Sequence, residues 1–106
     1  ETIEPRSRAF EIEWFNPQEQ KLTAGQPKEL TIAWSAKEAV LKALGKGLAL
    51  SPRDITVTSL ASEKVEIQLS GEAAQEHKKL GGAPIHVSWT MDGTKEVLVH
   101  ARFAAA

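Results

Sequence analysis

Cysteine is absent from the 106-residue chain, and this absence removes several classes of chemistry. A chain without thiols has no disulfide framework, no thiolate nucleophile and no zinc site built from cysteine. Such a composition is compatible with a reducing compartment, and we therefore expect a cytoplasmic protein.

An excess of charge of either sign is also missing, because 13 basic residues are balanced by 14 acidic ones. This balance provides no basic footprint for nucleic acid and no polybasic anchor for a membrane surface. No apolar run approaches the roughly 20 residues that span a bilayer, and the polar amino terminus does not resemble a secretion signal. The chain starts at Glu1 rather than at a methionine, from which we expect a further segment upstream.

The first half of the chain carries helix signals. Residues 1–8 contain a proline after a single aliphatic residue, which is typical of a strand end that runs into a turn. A short helix is expected next, and an Asn-Pro pair then supplies the N-cap and first residue of a second helix over 17–23. Apolar residues at separations of three, four and seven predict the main helix over 28–44, with Gly45 and Gly47 as its cap.

The second half carries strand signals, because apolar and polar residues alternate there. The alternation predicts one hairpin over residues 55–69 and a second over 85–101, separated by a polar, helix-permissive segment at 71–80. One long helix against two hairpins predicts an α+β fold in which an antiparallel sheet packs on one face of the helix. The length allows one small core, so we expect a single domain over 1–106.

The main helix holds the candidate functional residues. Leu30, Trp34, Glu38 and Lys42 follow one another at four-residue steps, so they lie along one side of the helix. Spacing alone favours an ordinary exposed pair of Glu38 and Lys42, worth about 0.2–0.5 kcal/mol. It also favours Trp34 as a core residue. This row of four side chains is unusual, because it begins with an aliphatic side chain and an indole and continues with a carboxylate.

The segment WSAKEAVLKALGKGL over residues 34–48 resembles the signature helix of 4'-phosphopantetheinyl transferases. That signature has a tryptophan, then Lys-Glu-Ala, a second lysine and a Gly-x-Gly ending. The Trp-Phe-Asn-Pro-Gln-Glu run over 14–19 is similar to the aromatic-Phe-x-x-x-Glu element that precedes this helix in the family. Residues 51–57 and 85–88 are similar to two family strands. The resemblance covers nearly the whole chain and implies the fold of a phosphopantetheinyl transferase half domain.

The resemblance implies an enzyme that moves the phosphopantetheine arm of coenzyme A onto a serine of an acyl or peptidyl carrier protein. The reaction would release 3',5'-adenosine bisphosphate and would serve fatty acid, polyketide or nonribosomal peptide synthesis. It also implies a Mg²⁺ ion bound to Glu38 and Glu1, with an aspartate two positions before Glu1. Glu4 is the competing carboxylate. Either Glu38 or a metal-bound water would take the proton of the serine hydroxyl.

Three lysines are assigned to coenzyme A by the same resemblance. Lys42, one turn beyond Glu38, would hold a phosphate oxygen and support catalysis. Lys37 lies about 100° around the helix from Glu38 and is expected to contact another part of coenzyme A or the solvent. Lys46 is the third of these lysines. The segment Gly45-Lys46-Gly47 is interpreted as a helix cap and not as a phosphate-binding loop, because it follows a helix and lacks the spacing of a Walker loop.

Two subgroups of the family fit the chain. One is the two-half (surfactin-synthetase-activating) type, in which the active site lies between two similar halves; the other consists of short holo-acyl-carrier-protein synthases that form trimers. Trp34 and the Gly-Lys-Gly-Leu ending favour the carboxy-terminal half of a two-half enzyme, whose amino-terminal half would be a partner. A fragment of that kind is expected to be inactive alone. A non-catalytic module that binds carrier proteins is a further alternative, against which the retention of both Glu38 and Lys42 speaks.

Overall fold

The computed structural model describes residues 2–103, apart from the side chain of Leu48. Within this range the chain forms four α-helices, two short 3₁₀ turns at Gly47–Ala49 and Pro52–Asp54, and four strands. In chain order, the helices and strands are α1 (Arg8–Trp14), α2 (Pro17–Thr23), α3 (Pro27–Ala43), β1 (Ile55–Ala61), β2 (Lys64–Leu69), α4 (Gly71–Lys79), β3 (Ile85–Asp92) and β4 (Glu96–Phe103).

Local capping sets the bounds of α2 and α3. The side chain of Asn16 accepts a hydrogen bond from the backbone N–H of Glu19 at 2.8 Å, and the carboxylate of Glu19 accepts one from the N–H of Asn16 at 3.0 Å. This capping box starts α2 at Pro17, as the sequence predicts. The main helix α3 also starts on a proline, Pro27, and Gly45 follows it with a φ of 76°. Glycine adopts this left-handed conformation without steric cost.

The four strands form one antiparallel sheet in the order β1-β2-β3-β4. β3 and β4 pair along their whole length, whereas β2 and β3 pair only at Lys64–Ser88 and Val65–Val87. The two predicted hairpins are therefore confirmed as β1–β2 and β3–β4. They meet through a short central pairing.

The core lies between α3 and one face of the sheet. Apolar residues of the helix are buried there, among them Leu30, Ala33, Val40 and Leu41. Apolar residues of all four strands are buried against them, namely Ile55, Val57, Val65, Val87 and Val97. The prediction of an α+β fold with the sheet on one side of the main helix is confirmed. No helix in residues 2–103 is both long and apolar enough to cross a membrane.

Candidate active site

Glu38 and Lys42 lie in one groove between α3 and β4. The groove has a volume of about 240 Å³, and it is lined by Ser35, Glu38, Ala39 and Lys42 of the helix and by Val97, Leu98 and Val99 of the strand. Glu38 is half-buried and Lys42 is exposed. A carboxylate is a ligand for hard cations and an ammonium pairs with phosphate oxygens, so this groove suits a phosphate together with its cation.

The placement of Glu38 follows from the packing of α3. Val40 and Leu41, two and three residues further along the helix, are buried in the core. Since the helix turns by about 100° per residue, Glu38 lies about 60° around the helix from Leu41 and about 160° from Val40, which is the margin of the buried face. Glu38 therefore reaches the edge of the sheet at β4 and not its centre.

The amino-terminal segment joins the sheet at the same edge. Thr2 forms an antiparallel bridge with Glu96, and the N–H of Ile3 donates to the carbonyl oxygen of Lys95 at 2.6 Å. The segment thus lies beside the start of β4, whose next residues line the Glu38 groove. Glu1, the predicted second metal ligand, lies outside the described residues.

The described part of the chain does not by itself assemble a metal centre. Among residues 2–103, no three His, Asp or Glu side chains come together as a group that could hold a metal ion. Glu4, the competing carboxylate, is 60% exposed and lies 3.5 Å from the guanidinium of Arg6. Within this range, Glu38 is the carboxylate that the groove offers.

A sequence model of the 4'-phosphopantetheinyl transferase superfamily matches residues 1–92. The chain belongs to this superfamily. The match includes α1 to α4, the hairpin β1–β2 and nearly all of β3, and so it contains the helix that carries Glu38 and Lys42.

Curated relatives include both short and long proteins. The holo-[acyl-carrier-protein] synthase of Treponema denticola is 40% identical over 76 residues, which cover 71% of this chain and 62% of that protein. The same kind of protein from Dinoroseobacter shibae is 38% identical over 86% of this chain and 72% of its own length. The L-aminoadipate-semialdehyde dehydrogenase-phosphopantetheinyl transferase of Schizosaccharomyces pombe is 31% identical over 95% of this chain. The chain spans 42% of that last protein.

Lys37 does not occupy the position expected for a coenzyme A ligand of a transferase. Its side chain is fully buried, and its ammonium lies 2.9 Å from Oε2 of Glu19. It also donates to the carbonyl oxygens of Pro52 at 3.1 Å and Ile55 at 2.7 Å. The expectation that Lys37 contacts coenzyme A or the solvent is therefore wrong. All three donors of the ammonium are used inside the protein.

Lys46 lies apart from the Glu38 groove. It lines a separate concavity with Glu72, Gln75, Glu76 and Lys79. The structure thus brings Glu38 and Lys42 together, whereas Lys37 and Lys46 lie elsewhere. A role for Lys46 in binding coenzyme A remains a prediction that its exposed position permits.

Trp34 is only partly a core residue. Its ring lies 5.1 Å from the ring of Phe10 and 5.7 Å from that of Trp14, between centroids. One side of this aromatic cluster faces an open cleft of about 760 Å³ that also contains Asp54 and Glu72. The Glu38 groove does not share a lining residue with this cleft.

Glu19 is the buried polar residue whose contacts the sequence reasoning missed. The sequence places Glu19 in the element that precedes the main helix but does not indicate its partner. The sequence contains one indication of this contact. Glu19 lies in the element before the signature helix and Lys37 lies in that helix, and an acid and a lysine that are both buried are expected to pair. Spacing along the chain does not reveal such a contact, since 18 residues separate the two.

Proposed function

We propose that the whole protein that contains this chain transfers the phosphopantetheine group of coenzyme A to a serine of an acyl or peptidyl carrier protein. The observation that carries this proposal is the shared groove of Glu38 and Lys42 at β4, beside the point where the amino-terminal segment joins the sheet. Membership of the superfamily and the names of the relatives support the same activity.

The groove would supply one carboxylate ligand, Glu38, to a magnesium ion. Mg²⁺ is usually bound by one or two protein carboxylates, while substrate phosphates and water complete its shell. Glu38 would be one such ligand and Glu1 the second. Thr2 pairs with Glu96, and the next residue of that strand, Val97, lines the same groove as Glu38. This proximity supports a ligand from the residues that precede Thr2, including the aspartate expected upstream.

The residues of the groove have separate parts in the reaction. Oγ of the carrier serine gives its proton to a base, either Glu38 or a water held at the site, and forms a bond to the phosphorus that bears pantetheine, while the bond from that phosphorus to the bridging oxygen of the diphosphate breaks. The leaving group is 3',5'-adenosine bisphosphate. A bound Mg²⁺ would offset the charge that develops on the phosphate oxygens. Lys42 pairs with a phosphate oxygen and orients it, since phosphoryl transfer depends mostly on positioning and electrostatics.

We propose that the chain is the carboxy-terminal half of a two-half enzyme. Alignment of 95% of the chain with 42% of the Schizosaccharomyces pombe transferase supports this architecture and an amino-terminal half as partner. The second candidate is a short holo-acyl-carrier-protein synthase, which the 72% coverage of the Dinoroseobacter shibae protein favours. The mass of the whole protein in solution separates a monomer of two halves from a trimer. A cytoplasmic location is proposed on the cysteine-free composition.

Incubation of the whole protein with coenzyme A, Mg²⁺ and an apo carrier protein tests the activity. Intact-mass spectrometry should show that the carrier gains one phosphopantetheinyl group, and a carrier with its acceptor serine changed to alanine should gain none. An unchanged carrier mass under conditions in which a known transferase modifies the same carrier would refute the proposal. The outcome also separates an enzyme from a module that only binds carrier proteins.

A further inference from the structure

The buried pair of Lys37 and Glu19 connects the helix of the site to the rest of the fold. The two side chains are 0% and 1% exposed, and the ammonium lies 3.0 Å and 2.9 Å from the two carboxylate oxygens. The ammonium also lies 5.1 Å from the centroid of the Phe15 ring. The pair is therefore enclosed on all sides by protein atoms.

Glu19 extends the connection to two further segments. Its Oε2 accepts a hydrogen bond from the backbone N–H of Val57 in β1 at 2.7 Å, and its Oε1 accepts one from Asn16 at the start of α2. Lys37 adds the carbonyl oxygens of Pro52 and Ile55. One lysine of α3 is thus bound to α2, to the turn before β1 and to β1 itself.

These contacts act at a fixed point of α3. Lys37 directly precedes Glu38, and Lys42 follows within about one and a half turns of the helix. An ammonium with three fixed acceptors allows α3 neither to rotate nor to slide along its axis without breaking a buried hydrogen bond. An unpaired charge left in the interior is strongly unfavourable, so these contacts resist such a shift.

We propose that Lys37 and Glu19 are positioning residues that fix the rotation and axial placement of α3 and thereby hold Glu38 and Lys42 against β4. The inference rests on the proposed function for what Glu38 and Lys42 do there. Lys37 itself touches no substrate, because its side chain is closed to solvent. The pair sets the geometry of the groove through the helix that both site residues share.

The test uses a charge-neutral double variant, Glu19→Gln with Lys37→Met, in the whole protein, so that no single charge is left buried. At a temperature where circular dichroism shows the variant folded, kcat for carrier modification is expected to fall about 10- to 100-fold. The Mg²⁺ concentration for half-maximal rate should rise, while KM for the carrier protein stays unchanged. Should the double variant not fold, Lys37→Arg is measured instead, because it keeps a cation beside Glu19 but changes the geometry of the donors, and a smaller loss in the same direction is expected.

Thr31→Val is the matched control. Thr31 is fully buried in the same helix, and its hydroxyl donates to the carbonyl oxygen of Pro27 at 2.7 Å. This variant is expected to lower thermal stability but to keep kcat and the Mg²⁺ dependence. An equal loss of kcat in the control and the double variant would mean that the pair acts through general stability, and would overturn the proposal.

A second readout does not depend on activity. Nuclear Overhauser contacts between the methyl groups of Ala39 and those of Val97 or Val99 report the packing of α3 across the groove. They should weaken in the double variant and persist in Thr31→Val. If the wild-type protein does not modify a carrier, the proposed function fails and these contacts alone decide the positioning role. Unchanged contacts, or wild-type kinetics in the double variant, would refute it.

Discussion

Lys37 and Glu38 are neighbours in the sequence but serve different sides of α3. The ammonium of Lys37 donates to the carbonyl oxygen of Ile55 in β1 at 2.7 Å, whereas Glu38 lines the groove with β4 at the other edge of the sheet. One residue anchors the helix and the next faces the site. Because the two residues are adjacent on one helix, a change in the buried contacts of Lys37 is expected to change the position of Glu38 in the groove.

The buried lysine predicts a dependence of stability on pH. Burial lowers the pKa of Lys37 from its ordinary value of 10.5, and the hydrogen bond and charge of Glu19 offset part of this shift. Between the lowered pKa and 10.5 the unfolded chain binds more protons than the folded chain, so the free energy of unfolding rises with pH. This contribution is complete above the unfolded pKa and is lost as the pH falls through the folded pKa.

Urea unfolding from about pH 8 to about pH 10 measures the effect, because ordinary lysines begin to titrate only near the upper end. The free energy of unfolding of the wild type should rise relative to that of the Glu19→Gln, Lys37→Met variant. Titration of the other lysines is shared by both proteins and cancels in the difference. A difference that stays constant or shrinks with pH would contradict the lowered pKa.

Replacement of Lys42 by alanine should lower kcat/KM for coenzyme A without unfolding the protein. Lys42 is exposed, and its proposed partner is a phosphate oxygen. Loss of a hydrogen bond to a charged group costs about 1.5–3 kcal/mol, which is about 10- to 100-fold in kcat/KM for coenzyme A. Lys78→Ala, an exposed lysine of α4 away from the groove, should leave kcat/KM unchanged. Equal values for both variants would remove Lys42 from the site.

Phe15 should be a main contributor to stability. It is fully buried and contacts the rings of Phe10 and Trp34. Phe15→Ala is expected to lower the free energy of unfolding by about 3–5 kcal/mol, because it removes a large side chain and leaves a cavity. Ile12→Ala in the adjacent α1, where the side chain is 55% exposed, should cost no more than about 0.5 kcal/mol. Chemical denaturation gives both values, and similar costs would contradict this packing.

Gly71 should tolerate a side chain less well than other glycines with positive φ. Its φ is 55°, and an added Cβ would lie 2.9 Å from both carboxylate oxygens of Asp54. Gly93 has a φ of 74° with nothing within 4 Å, so Gly93→Ala should cost only the conformational strain of about 1–2 kcal/mol. Gly71→Ala should cost about 0.5–1.5 kcal/mol more, because the half-buried carboxylate of Asp54 must rotate out of its position.

The role of Asp54 in that cost can be separated. Asp54→Ala in the Gly71→Ala background should bring the cost of the alanine down to that measured at Gly93. Thermal or urea unfolding of the four proteins completes the cycle. If Gly71→Ala costs no more than Gly93→Ala, the close approach of Asp54 to α4 is not a constraint on the fold.

The features of the fold that depend on neighbouring residues could be predicted from the sequence. The Asn16-Pro17 pair predicted the start of α2, and the apolar spacing predicted α3 to within one residue at each end. The short pairing of β2 with β3 and the bridge of Thr2 to Glu96 could not be predicted. Both depend on contacts between residues far apart in the chain, which a local pattern does not specify.

In the candidate site, too, the features set by neighbouring residues could be predicted and the contacts between distant segments could not. A four-residue step on a helix places Glu38 and Lys42 on one side, and the structure has them in one groove. The error at Lys37 arose because lysine is almost never fully buried unless paired, and its partner could not be seen. Glu19 and the two carbonyl oxygens that bind the ammonium come from other segments of the chain.

The most direct test of the central claim compares the wild-type protein with Glu38→Gln by intact-mass spectrometry of an apo carrier incubated with coenzyme A and Mg²⁺. The amide keeps the size of the side chain but removes the negative charge that a hard cation requires. The wild type and a Glu66→Gln control on the exposed side of β2 should add one phosphopantetheinyl group to the carrier, and Glu38→Gln should add none. Modification by Glu38→Gln at the wild-type rate would contradict the account.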